Sequence, residues 1–275
     1  MCGLLAISIY HLAILSDNKS MEASYHERAE QFFAEFSIGW EEISAHGSGI
    51  GFDGVEEEAR VTGDRIQCVL QCAQWASTRY MSIEPATSSP LLSIVSTIQG
   101  LIVTDFWHQS GDDGNEQRGS FIQAGRILKT TPFNPNPTHT VLLNILGSLP
   151  RRMADPLGRP ASMQEVLATL SATASLIECC DASFASDNPG STWRSMAVWL
   201  TKITDQFHSM ISTHRPAALV VLAHWAVLVE RSEHCGCWFL KGAAAAIRRE
   251  INERLLAENA VIQGLVVGLE HISAL

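Results

Sequence analysis

The chain has 275 residues, 46% of them hydrophobic, which supplies a sizeable core and excludes a disordered chain. Charged residues make up 17%, below the roughly 25% usual in soluble domains, so part of the surface must be apolar or turned inward around a cavity. Lys and Arg number 19 against 29 Asp and Glu, and the net charge of −10 argues against direct nucleic acid binding by this chain.

Apolar residues recur at intervals of three and four almost throughout, and period-two alternation is nearly absent. The expected class is therefore all-α, about nine to eleven helices in one domain over residues 1–275, around an apolar cavity. The first helix is expected over Gly3–Leu15. It is too polar at Tyr10 and His11, and lacks the basic start, to read as a secretory signal. A second helix over Met21–Ser44 places Tyr25, Ala29, Phe32, Phe33, Phe36 and Trp40 on one face. The stretch from His46 to Asp64, in which four glycines precede three consecutive glutamates, reads as a mobile or inserted loop.

Helices are then expected over Arg65–Met81, Leu91–Trp107, Ser120–Lys129 and Thr140–Leu149, with a linker over Arg151–Pro160. Beyond Ser162 the pattern is nearly continuous helix: Met163–Cys180, Trp193–Ser212, Pro216–Glu230, Trp238–Leu256 and Val261–His271. Ser162 with Glu165 has capping-box spacing, and Pro216 suits a first helical turn. The apolar run Ala217–Val229 is shorter than the about 20 residues of a membrane span, so it reads as a buried helix and no membrane span is expected.

The seven cysteines are odd in number and follow no disulfide framework, which points to a reducing, intracellular compartment, cytoplasmic or nuclear. His234, Cys235 and Cys237 lie close together, but Cys-x-Cys is not a zinc-finger spacing, and Cys68 and Cys72 read as small apolar packing residues. No metal and no cofactor is expected, and the familiar catalytic signatures are absent. His11, His108 and His224 stand beside Tyr10, Trp107 and Trp225 in apolar helices. Alone, such an imidazole is most often a buried group bonded to a carbonyl. Beside an indole in an apolar wall it also suits fixing the polar end of a greasy ligand.

The stretch Pro216-Ala-Ala-Leu-Val-Val-Leu-Ala-His224-Trp225-Ala, followed by a short turn, the pair Trp238-Phe239 and Gly242, resembles the C-terminal regulatory domain of fungal zinc-cluster transcription factors related to sterol uptake control protein. The opening GLLAISIYHLAIL and the later AEQFF resemble the first helices of the same family. The resemblance implies an all-α fold enclosing a sterol-sized apolar cavity, with a homodimer as a common state and ligand occupancy controlling transcription or nuclear entry. The six-cysteine DNA-binding cluster of such factors is not in this sequence, the segment from His46 to Asp64 has no counterpart, and Lys241 stands where an apolar or acidic residue is expected.

The leading expectation is binding of a hydrophobic small molecule, sterol or terpenoid-like, with Tyr10, His11, Trp107, His108, His224, Trp225, Trp238, Phe239 and Gly242 as candidate ligand-binding residues. Burial of some 300 Å² of ligand would contribute about 7 kcal/mol before association costs. The alternative is a free-standing enzyme of secondary metabolism, a cofactor-independent cyclase, pericyclase or isomerase, with His11, His108 and His224 as its candidate catalytic groups. An accessory subunit that pairs with a full-length regulator is a third reading.

Overall fold

The computed structural model describes residues 1–46, 54–81, 90–103, 137–158, 160, 162–258 and 260–269. Among them the chain is all-helical, as expected, with eleven α-helices, one 3-10 turn and no strand. In chain order these are α1 (Cys2–Leu15), α2 (Lys19–His46), α3 (Gly54–Met81), α4 (Pro90–Val103), α5 (Pro137–Leu157), α6 (Met163–Phe184), α7 (Pro189–Lys202), α8 (Asp205–Ser212), α9 (Pro216–His234), the 3-10 turn Trp238–Leu240, α10 (Ala243–Glu258) and α11 (Ala260–Gln263). They fall into two compact units: Met1–Phe106 with Cys237–Ala246, and Trp107–Gly236 with Ile247–Leu275.

In the first unit α1 packs on α2 and α3 through Gly3, Ala6, Tyr10 and Ala13, a buried stripe at helical spacing. The small residues let neighbouring helices approach closely, and a Cβ at Gly3 would collide with Ile66 and Phe36. Of the expected apolar face on α2, Ala29 and Phe33 are buried with Leu70 and Ala73 of α3, while Phe32 and Phe36 pack at the margin. Trp40 lies flat against Gly63 of α3 and donates its indole N–H to Asp64 Oδ1 at 3.0 Å.

The second unit is organised around α9, whose residues Ala218–Val229 are buried on every side, unlike a helix at a surface. Helices α6 and α7 are tied to one another and to α9 through tryptophans. Trp199 Nε1–H donates to the Ala172 carbonyl and Trp225 Nε1–H to the Met196 carbonyl, each at 2.9 Å. The two indoles stack at 5.7 Å. Ser162 Oγ accepts the Glu165 N–H as the capping spacing predicts, Asn188 caps α7, and Pro216 opens α9.

Several boundaries differ from the sequence expectation, among them the last, where the helix expected over Val261–His271 ends at Gln263 and gives way to turns. Helix α3 begins at Gly54, so the second half of the expected loop is helix; residues 47–53 lie outside the described residues. Helix α5 runs through Pro150 to Leu157 rather than stopping at Leu149, tolerating a missing backbone donor. The expected Trp193–Ser212 helix is two helices, because Ile203 is extended and Thr204 caps α8 through the Phe207 N–H. Trp238 begins a 3-10 turn, and Gly242, at φ +81° where glycine is favoured, separates it from α10. The expected Ser120–Lys129 helix lies outside the described residues.

Candidate functional site

The candidate residues named from sequence fall in separate places. In the first unit Tyr10 is fully buried, and its hydroxyl has no hydrogen-bond partner; burial raises its phenol well above the usual range, with Glu30 adding to the effect. His11 is exposed and stacks on Trp238, with centroids 4.9 Å apart and planes 16° apart. Phe239 meets Trp238 edge-on at 5.9 Å, and Lys241 Nζ donates to the Ile14 carbonyl at 3.1 Å, closing the turn onto α1. Tyr10, His11, Trp238, Phe239 and Gly242 are thus brought into one unit.

His224 and Trp225 belong to the core of the second unit. His224 Nδ1 sits 2.8 Å from the Val220 carbonyl oxygen, one helical turn back, while Nε2 has no partner. Burial lowers its pKa to about 4, against the opposing effect of the Val220 hydrogen bond, so the ring is neutral at pH 7. Trp107 and His108 lie outside the described residues.

A pocket of about 450 Å³ lies within the second unit. Met153 and Leu157 of α5, Val166 and Leu170 of α6, Met210 of α8 and Ile262 of α11 supply its apolar wall. None of the histidines or aromatic residues named from sequence that fall among the described residues lines it. Pro150, Gly158, Pro160, Pro216 and Ala217 also border it, so it lies along the C-terminal half of α5 and the start of α9.

Its polar edge is made by Glu165, Thr169 and Arg215. Arg215 donates Nε–H and Nη2–H to one oxygen, Glu165 Oε1, at 3.2 and 2.8 Å. Thr169 donates its hydroxyl to the Glu165 backbone carbonyl at 2.7 Å, so its own hydrogen is already committed. The turn that presents Arg215 is strained: His214 has φ +54°, its N–H donates to Ile211, and the Arg215 N–H reaches the Met210 carbonyl at 2.8 Å. That turn closes α8 and sets Met210 and Arg215 against the same space.

Sequence reading did not reach this pair because the two residues are 50 positions apart and each has a local explanation: Glu165 completes a capping box, and Arg215 precedes a helix-starting proline. A second unread feature is His139, stacked on Phe184 at 5.0 Å and 2.9 Å from Asp181, with the Arg231 guanidinium 4.0 Å from the centre of the same Phe184 ring. These contacts bind the start of α5 to the ends of α6 and α9.

Among the described residues no group of three or more His, Cys, Asp or Glu is placed to hold a metal ion, and no helix is long and apolar enough to cross a membrane. No family model matches the chain, and no solved structure matches it. The sequence is similar to a protein of a fungal biosynthesis cluster. That relative is orsellinic acid/F9775 biosynthesis cluster protein D of Emericella nidulans, 41% identical over 263 residues, a match covering 93% of this chain and 49% of the relative. The chain spans about half the length of the curated relative it matches.

Proposed function

We propose that the chain binds a hydrophobic small molecule of secondary metabolism, of sterol or terpenoid type, in the pocket of its second unit. The observation that carries this reading is the pocket itself: about 450 Å³, walled by aliphatic and thioether side chains, with one polar edge. Sites for small molecules are commonly about 300–1,000 Å³, largely apolar, with a few polar groups that set orientation. The biosynthesis-cluster name of the relative supports a metabolite ligand, and the resemblance of α9 and the Trp238–Phe239 turn to sterol-responsive regulators supports its class. The same resemblance supports a homodimer, which light scattering would register.

Native mass spectrometry of the purified chain, offered a sterol and terpenoid panel, tests the reading. Uptake that Ala217→Trp abolishes by filling the pocket is the expected result; no uptake of any member would overturn it. The relative's cluster name also favours a second reading, in which the pocket folds a linear polyene or terpenoid precursor for cyclisation or isomerisation. Incubation with such precursors separates the two, since a binding protein returns them unchanged.

A further inference from the structure

We infer that the pocket selects a neutral molecule carrying a hydroxyl, seated against the Arg215–Glu165 pair. This rests on the reading of the pocket as a ligand site and adds what the polar edge recognises. Both guanidinium contacts go to Oε1, which leaves Glu165 Oε2 as an open acceptor and Arg215 Nη1 with open donors. The edge therefore offers an unclaimed acceptor on Glu165 and unclaimed donors on Arg215. A hydroxyl can use either, donating to Glu165 Oε2 or accepting from the guanidinium.

Charge favours the same class. The pair sums to zero, so an anionic ligand gains the guanidinium only by facing the carboxylate, and a cation meets the reverse conflict. A ketone or an ether can use the Arg215 donor but leaves the carboxylate oxygen unmatched. Thr169 does not compensate, because its hydroxyl hydrogen is committed to the Glu165 carbonyl. The side chains are 44% and 21% exposed, so the pair is open to water before binding and weak alone. An apolar ligand body displaces that water, which raises the worth of each hydrogen bond made at the edge.

The hydroxyl could come from a phenol or from an aliphatic alcohol such as a sterol, and matched probes distinguish these sources. Isothermal titration calorimetry would compare 2-naphthol with 2-methoxynaphthalene and with 2-naphthoate, and cholesterol with its methyl ether in cyclodextrin. The expected result is about tenfold tighter binding of the hydroxyl member over its ether in at least one pair, as expected for hydrogen bonds to charged groups. That preference should collapse in Glu165→Gln and Arg215→Met while the ether still binds, with circular dichroism confirming helical variants. Equal affinity within both pairs, or naphthoate binding tightest, would overturn the hydroxyl inference and leave the pocket standing as a site. No binding of any probe would overturn the pocket reading itself.

Discussion

At position 224 an imidazole sits in a helix buried on every side, with Nδ1 at the Val220 carbonyl and Nε2 unmatched. Its folded pKa of about 4 lies below the ordinary value near 6.5, so between those values the unfolded chain takes up a proton that the folded chain does not. Stability contributed by this group is therefore complete above pH 6.5 and is lost as the pH falls toward 4, by on the order of 3 kcal/mol. His26 and His214, also lowered chiefly by burial, push in the same direction. Urea unfolding at stepped pH should show a falling midpoint between pH 7 and 4.5, and His224→Leu should flatten that slope without removing it. An unchanged slope in the variant would place the acid sensitivity elsewhere. The sequence made this histidine visible as an imidazole among apolar neighbours, yet both a buried core group and a ligand contact fit that pattern. The Val220 contact and the absence of His224 from the pocket wall identify what the ring touches, and neither is a local property of the sequence.

At the scale of elements, the packing of α6, α7 and α9 depends on two indoles that each fill volume and donate one hydrogen bond across a helix boundary. Trp225→Phe removes the Nε1–H bond to Met196 and part of the contact with Trp199. The expected cost is about 2–3 kcal/mol by chemical denaturation. A loss below about 0.5 kcal/mol would mean that the indole contributes little to joining these helices. Helix positions were legible where periodicity and caps coincide: α6 from Ser162 and Glu165, and α9 from Pro216 and the apolar run after it. They were misread where one side chain decides a break. Thr204 divides what periodicity reads as one helix, and α3 extends back to Gly54 in a glycine-rich stretch that reads as loop. The pocket was illegible because its wall is assembled from four separated helices and its polar edge from residues with competing local roles.

For the molecule as a whole, all seven cysteines are free thiols, and Cys72, Cys179, Cys180 and Cys237 are buried. Burial pushes Cys179 up to about 11 and Cys180 up to about 12, and Cys72 well above the usual thiol range, so these groups are poor thiolates as well as shielded. A thiol reagent at pH 8 should label Cys2 and Cys235 first in the folded chain and reach all seven only after unfolding; rapid labelling of Cys180 would contradict the packing described for the second unit. The overall class was legible because helical periodicity and low charge extend over nearly the whole sequence, whereas the division into two units depends on contacts distant in the chain. The claim on which function depends is that the second unit holds its ligand among α5, α6, α8 and the start of α9. The chain has seven methionines, two of them, Met153 and Met210, in the pocket wall, so methyl NMR can address the site without a crowded spectrum. Titration with a bound member of the sterol and terpenoid panel should shift the Met153 and Met210 methyl signals and leave those of exposed Met1 and Met21 in place. Saturable binding that moves neither pocket methyl would contradict the assignment.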